Sequence, residues 1–402
     1  KVIEKIEKKC KACPNAHLFL INDFGEIPHV NKFYSIENKI NEKKYPLRLA
    51  VCSNCFLMQL LDEIDIEDMF IEYHHMSSAS ETNKEYLENV SNLLYKKYGN
   101  KKILEIGSND LTLINFLLQK KVDAFGVEPA QNLFKPNDRI YNKFLNLENA
   151  QEIIQEYGNF DVIFGVNVFA HNPNFLELFH ACNLILKEDG VLHIEVAYAL
   201  KTVCEGNYDT IYHEHFCSYT LTSIENVLKI AGFKIVDAVE LNTQGGSLQI
   251  TAIKKNNNSI NPSENYESII LKEQELGLNR LEYYSGIQEK ISKKLNKIEK
   301  ILNENNDNLI FIGAPARGVV VLNTIDVNFG SNIKVIDDTQ EKLGLCFPGY
   351  EFLINNWDDE LINSFDSIFI LSWNYSDFLI NRLKKGGYNG NIIIPFPELK
   401  KI

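Results

Sequence analysis

No stretch of the 402-residue chain approaches the ~18–20 consecutive apolar residues of a membrane span, so no membrane partner is expected. The start of the chain, Lys1 to Lys9, is charged and has no apolar segment behind it, which is not the pattern of a secretory signal. Positive charge is short relative to negative: 41 Lys and Arg face 54 Asp and Glu, a formal net charge of −13. Non-specific nucleic-acid binding needs a basic face that displaces phosphate counterions, so nucleic acid is not an expected partner. A local basic pocket for a phosphorylated small molecule is compatible with this balance. Cysteine numbers only 8, and four of these fall in two pairs, which fits a reducing cytoplasm better than a disulfide framework. Apolar (45%) and charged (24%) fractions are ordinary for a soluble protein, and the length suits two or three domains with real cores, expected here as a monomer.

What is present begins with those pairs, Cys10-x-x-Cys13 and Cys52-x-x-Cys55. Each offers two thiolates on one tight turn, and two such hooks complete a tetrahedron, so a structural zinc is expected. The alternative is two unrelated pairs, buried or redox-active. Four cysteines leave no open coordination position, so the metal would do no chemistry. Residues 1–75 read as a small, β-poor unit around this metal, with strand-like runs at Phe19–Ile21 and Leu47–Val51. A unit this small has little core of its own, so zinc would supply folding energy.

An α/β alternation follows. Ile103–Ile106, Ala124–Val127, Asp161–Val166 and Gly190–Val196 read as strands, with helices at Leu113–Leu118 and Phe175–Leu186. This predicts a doubly wound, mostly parallel sheet over residues 76–256, with its ligand at the carboxyl ends of the strands. A periodic charged stretch, Glu264 to Asn303, predicts one or two amphipathic helices in a connector spanning 257–305. Four further apolar runs, Leu309–Ile312, Lys334–Asp337, Ser367–Leu371 and Asn391–Ile394, predict a second nucleotide-binding-like α/β domain over 306–402.

The first strand ends in Glu105-x-Gly107-x-x-Asp110. This differs from the three-glycine dinucleotide fingerprint: the third glycine is missing, and an acidic residue sits where a pyrophosphate would be repelled. Carboxylates suit a ligand with hydroxyls and a positive centre, such as S-adenosylmethionine. Glu128, which closes the second strand, is placed to accept both ribose hydroxyls. The plainer alternative is an ordinary strand–helix turn capped by Asp110.

The segment Tyr208-Asp-Thr-Ile-Tyr212-His213-Glu214-His215-Phe216 is the densest in reactive groups. Its spacing is not H-E-x-x-H, so a metal is not expected there. In an extended loop His213 and His215 face the same way and could converge. One histidine acting as proton acceptor, with Tyr212 and Glu214 around it, is the chemistry this composition suits near neutral pH. His171, in the loop beginning Asn167-Val168, follows another strand on the same sheet edge.

The paired hooks, Glu105-Ile-Gly107-Ser108-Asn109-Asp110, Tyr212-His-Glu-His-Phe216, Gly245-Gly246-Ser247-Leu248, Gly313-Ala-Pro-Ala-Arg317-Gly318 and Ile336-Asp337-Asp-Thr occur in an order that resembles the zinc-containing sugar C-methyltransferases. These act on nucleotide-linked 4-keto-deoxysugars. The resemblance covers nearly the whole chain. It implies a zinc module, a central S-adenosylmethionine domain and a C-terminal Rossmann-like domain over the nucleotide. It implies His215 as the base, supported by Tyr212 and Glu214, with His171 near the keto oxygen or the base. The cofactor would be met by Glu105, Gly107, Ser108, Asn109, Asp110, Glu128 and Asn167, covered by a segment with Ser78 and either Tyr73 or His75 in an aromatic role. The sugar nucleotide would be met by Gln244, Gly245, Gly246, Ser247, Arg317 and Asp337.

Three positions depart from the family pattern. Leu111 stands where glycine is usual, Gln244 where histidine is usual, and Arg317 where lysine is usual. The last exchanges a point charge for a fork suited to phosphate. Methylation of a sugar oxygen or nitrogen, and a non-catalytic protein that binds nucleotide sugars, are the other readings of the same motifs.

Overall fold

Three sheets carry the chain, and the computed structural model describes residues 4–64, 81–130, 137–242, 246–330 and 332–402. Tyr73, His75, Ser78, Gln244 and Gly245 therefore lie outside the described residues.

The N-terminal unit is richer in β-structure than its sequence suggests. Lys5–Lys9, His17–Pro28, Lys44–Cys52 and Met58–Leu60 form an antiparallel sheet, extended at one edge by Cys217–Ser218, which follow Tyr212–Phe216. The expected short runs are parts of a 12-residue and a 9-residue strand. Their pairing slips between Leu20 and Asn22 and again between Asp23 and Glu26. Each irregularity resets which face a side chain occupies, so the alternation that betrays a strand is broken in the sequence.

The central sheet has seven strands in the order Phe233–Leu241, Ser247–Lys254, Leu186–Ala197, Phe160–Val166, Lys102–Ile106, Asp123–Val127, Ile140–Tyr141. The last five run parallel, and Ser247–Lys254 is antiparallel to both its neighbours. Ile106, Val127 and Val166 consequently end at one edge, where the ligand of such a sheet belongs.

The connector forms Glu264–Leu276, Leu281–Tyr284 and Ile287–Asn303, interrupted at Gly277 in the left-handed region (φ 89°). It does more than join. Glu273 is fully buried and accepts hydrogen bonds from the backbone N–H groups of Leu221 and Thr222 at 2.7 Å each and from the Tyr198 hydroxyl at 2.8 Å. A carboxylate on the first amides of the helix Leu221–Ile230 is held by both hydrogen bonding and the helix dipole. The other end of the connector buries Ile287, Ile291, Ile298 and Leu302 in the C-terminal core.

The C-terminal sheet orders its strands Ile354–Asn355, Lys334–Ile336, Leu309–Ile312, Ser367–Ile370, Asn391–Ile394, Lys400–Lys401; all but the last pair are parallel. Two cores bind the units together. One joins Ile21, Phe24, Leu47 and Met58 of the N-terminal sheet to the C-terminal strands, and the other joins the four hook cysteines to the central sheet. The N-terminal module thus owes much of its burial to its neighbours on both sides. No described helix is long and apolar enough to cross a membrane.

Candidate active site and metal centre

The sulfurs of Cys10, Cys13, Cys52 and Cys55 lie within 4.8 Å of one another, all buried, and form the only cluster of three or more metal-type donors among the described residues. Cys10 Sγ and Cys55 Sγ are 3.7 Å apart. Bonds of ~2.3 Å at tetrahedral angles give an edge of roughly 3.8 Å, whereas a disulfide needs ~2.05 Å. Backbone N–H groups also point at sulfur: Ala12 and Cys13 at Cys10, Asn54 and Cys55 at Cys52, at 3.3–3.4 Å. Side-chain amides of Gln59 and Asn54 reach Cys10 and Cys13 at 3.2 and 3.4 Å. Donors gathered on sulfur suit thiolates, so the set fits a zinc ion with no vacant position.

At the central sheet edge the turn after Ile106 is fixed by contact. Gly107 has φ 72°, and a Cβ there would lie 2.8 Å from Val168 Cγ2, so any side chain would displace the neighbouring loop. Glu128 accepts hydrogen bonds from the N–H of Asn109 at 2.6 Å and of Ala130 at 2.9 Å, which orient its carboxylate across the turn. Asp110 accepts from the Thr112 backbone and hydroxyl and so ties the turn to the first helical residue, while the N-cap position itself is Leu111 and has no side-chain cap. Glu105 is buried, and its Oε2 has no hydrogen-bond partner; nor has the Ser108 hydroxyl. Burial, then the charges of Glu128 and Asp110, push the Glu105 carboxyl well above the usual range. Burial raises Glu128 as well, against its two amides. Packed carboxylates with an unmatched acceptor favour a ligand bringing hydroxyl donors and positive charge, which fits S-adenosylmethionine.

Leu111 adopts the left-handed conformation (φ 67°, ψ 17°) that explains the preference for glycine in this place. Its side chain is buried with Leu113, Ile114 and Leu117, and that packing offsets the backbone strain. Asn167 is also left-handed (φ 53°) and donates its N–H to the Glu195 carbonyl at 2.8 Å. The Glu195 carboxylate in turn accepts from the Tyr86 hydroxyl.

The loop 167–171 leads from the glycine turn to the reactive segment. Val168 abuts Gly107, the Ala170 carbonyl accepts the N–H of Phe216 at 2.8 Å, and the His171 ring meets the His215 ring edge-on at 4.8 Å. Tyr212 lies over His215 at 4.0 Å. His215 Nδ1 is 2.7 Å from the Thr210 carbonyl. A carbonyl only accepts, so Nδ1 carries the proton and Nε2 keeps its lone pair. Burial lowers the ring's pKa to about 4, and Arg317 adds to this, so the imidazole is neutral at pH 7.

His213 and His215 do not converge. His213 donates through Nε2 to the Pro46 carbonyl at 2.8 Å, across in the N-terminal module, with Tyr45 at its edge. Glu214 turns the same way, accepting from Asn31 Nδ2 at 2.7 Å with His29 Nε2 at 3.5 Å. Burial pushes its carboxyl up to about 7, and the Asn31 bond works against this. The segment is a tight turn here, not an extended strand, so residues two apart diverge. Asn31, His29 and Pro46 carried no signal in the sequence, because their partners stand more than 160 residues away.

Asp337 occupies in the C-terminal sheet the place Glu128 has in the central one. It closes a strand and accepts from the glycine-turn N–H of Ala314 at 2.7 Å. Arg317 lies on the first turn of Ala316–Asn323. Its Nη1 donates to Asn374 at 3.2 Å and lies 4.0 Å from Asp209. Ser247 opens its strand, pairing with Ala197, and Gly246 accepts the Tyr198 N–H at 3.1 Å.

Family models match in chain order: "Putative zinc binding domain" over residues 10–70, "Methyltransferase domain" over 78–238 and "C-methyltransferase C-terminal domain" over 242–397. The chain is 24% identical to the C-methyltransferase NovU of Streptomyces niveus, over 98% of this chain and 96% of that protein. Among solved structures, the CcbJ methyltransferase of Streptomyces caelestis aligns with 42% of this chain and 89% of its own (TM-score 0.33, 9% identity). The magnesium protoporphyrin IX methyltransferase of Synechocystis aligns with 45% and 90% (TM-score 0.32, 13% identity). Likeness at that level carries no argument. The sheet, the glycine turn and the matched domains define an S-adenosylmethionine-dependent methyltransferase, an enzyme whose cofactors are S-adenosylmethionine and zinc. With all three matched domains in order, the chain is similar along nearly its whole length to a C-methyltransferase, with a zinc-binding module ahead of the methyltransferase domain and a C-methyltransferase C-terminal domain behind it.

Proposed function

We propose that the protein methylates a carbon of a nucleotide-linked 4-keto-deoxysugar, next to the keto group. The observation that carries the reading is the His215 ring. It is half-buried, neutral and locked with Nδ1–H on the Thr210 carbonyl, so that Nε2 is a free base beside His171 and one loop away from the cofactor turn. Bound S-adenosylmethionine supplies an electrophilic methyl group. The keto group acidifies the adjacent C3–H. His215 Nε2 takes that proton, and the electron pair of the broken bond passes into the enolate. S-adenosylmethionine held by Glu128 and the glycine turn would supply the methyl group for that carbon, the electrons of its carbon–sulfur bond staying with sulfur. His171 stands where it can face the keto oxygen, and Tyr212 holds the His215 ring from the other side.

In this reading Glu105, Gly107, Ser108, Asn109, Asp110, Glu128 and Asn167 form the cofactor site, and Cys10, Cys13, Cys52 and Cys55 hold the zinc. Gly246, Ser247, Arg317 and Asp337 serve the sugar nucleotide. The enzyme acts as a cytoplasmic monomer on this small-molecule substrate. The support for the substrate class is the motif order together with the similarity to a C-methyltransferase along nearly its whole length.

Incubation with a panel of 4-keto nucleotide sugars in deuterated water tests the reading. The expected result is a product 14 mass units heavier, with deuterium entering the carbon next to the keto group when the methyl donor is withheld. Methyl transfer to a hydroxyl without such exchange would replace C-methylation by O-methylation.

The cofactor site is tested separately. Glu128→Ala should weaken S-adenosylmethionine binding by about 2–3 kcal/mol, the worth of a shielded two-point carboxylate contact. Calorimetry showing unchanged affinity would move the adenosine site elsewhere.

A further inference from the structure

Among the described residues, the segment that carries the base is held from three sides, and one of its anchors has no part in the chemistry described above. Tyr208 packs between Phe24 of the N-terminal module and Phe396 of the C-terminal domain, with ring centroids at 5.8 and 5.7 Å. Asp209, next in the chain, is 1% exposed. Its Oδ2 accepts the indole N–H of Trp373 at 2.7 Å, and the Arg317 guanidinium lies 4.0 Å from the same oxygen. Trp373 and Arg317 both belong to the C-terminal domain, and the guanidinium stands 5.5 Å from the indole ring. The residue after Asp209 is Thr210, whose carbonyl takes the Nδ1 proton of His215.

A carboxylate in such a place is costly to bury, and an apolar side chain of similar volume would hold a loop as well. What the carboxylate adds is direction. The planar indole N–H fixes it in one orientation, and the backbone one peptide further on is fixed with it. If the Thr210 carbonyl swings away, Nδ1 loses its acceptor. The ring can then carry its proton on Nε2, where it is no longer a base.

We infer that Asp209 is a positioning residue for His215. Held by Trp373 and Arg317 of the C-terminal domain, it keeps the Thr210 carbonyl where it selects the tautomer of the base. The C-terminal domain thereby completes the catalytic loop of the methyltransferase domain. This inference rests on the reading of His215 as the base, and its test separates the two.

The experiment uses the full-length, zinc-loaded enzyme as Trp373→Phe, Asp209→Asn and the double variant, with His215→Asn as reference. Nitrogen-15 spectra of histidine-labelled protein without substrate report the tautomer of His215, whose signals are those missing in His215→Asn. The wild type should show one protonated and one bare ring nitrogen, with the bare one at Nε2. Trp373→Phe, which removes the N–H but leaves an aromatic ring in the pocket, should shift the ring toward a tautomer mixture. With the panel sugar that the wild type turns over, kcat should fall by about 10- to 100-fold, the scale of a small misplacement of a reacting group, while the KM for S-adenosylmethionine is unchanged. The double variant should be no worse than the worse single one, because both act through one contact. If Asp209→Asn does not fold, Trp373→Phe carries the test alone. Folded variants with the wild-type tautomer and wild-type kcat would overturn the inference. A fully active His215→Asn would instead overturn the reading of the base, and the tautomer spectra would still decide whether Asp209 orders the loop.

Discussion

Substituting Asn for His215 is expected to lower turnover by about 10²–10⁴-fold, the usual contribution of a positioned general base, with cofactor affinity intact. Asparagine keeps a polar group of similar reach that can still meet the Thr210 carbonyl, so the loop should survive while the lone pair at Nε2 is lost. Both methyl transfer and the exchange of the sugar hydrogen with solvent should disappear together. The pH profile supplies an independent reading. The catalytic form is the unprotonated ring, so activity should decline as pH falls toward its ionisation. Burial depresses that ionisation to about 4, so kcat/KM should hold below the ~6.5 of an ordinary histidine before it declines. Near-normal turnover in His215→Asn would end the mechanism as written. A mutant that mainly raises the KM of the sugar would make His215 an orienting group.

Loss of the metal should have the other large effect. Purified protein is expected to contain about one zinc per chain, and Cys13→Ser or Cys55→Ser should abolish its retention. The damage should not stop at the N-terminal module. The hooks share a core with the central sheet, and the opposite part of the module shares one with the C-terminal strands. The same module supplies Asn31, His29 and Pro46 to Glu214 and His213. Structural zinc contributes roughly 10–16 kcal/mol to the folding of isolated finger peptides, more than most domains have in reserve. A chelator should therefore remove activity and broaden or lower the thermal transition at the same time, as followed by circular dichroism and metal analysis. A metal-free chain with the native transition and full turnover would show that the four cysteines serve another purpose.

Local chemistry explains what could be read directly. Two hooks of fixed spacing, a strand closing on Glu105-x-Gly107, an acid at Glu128 and a run of reactive groups at Tyr212–His215 each carry their meaning within a few residues. The strand–helix alternation around them is equally local, since it follows from side-chain periodicity. The sequence therefore determined the zinc hooks, the two α/β sheets and the residues on which the chemistry is proposed to depend. It did not show the N-terminal sheet, because two irregularities in the pairing of His17–Pro28 with Lys44–Cys52 hide the alternation.

Tertiary structure alone decided which of the reactive residues meet. His213 and His215 were indistinguishable by composition, yet the turn sends His213 to Pro46, and Glu214 to Asn31, and leaves His215 facing His171. The sequence offered Arg317 no protein partner, and the fold brings it within 4.0 Å of Asp209. Trp373, with no motif around it, donates to a carboxylate 164 residues earlier in the chain. Such pairings depend on how three separately formed sheets pack, and buried polar groups then take whichever partner that packing brings within ~3 Å. No short-range pattern encodes that choice, because it is made by side chains that become neighbours only after the sheets have closed on one another.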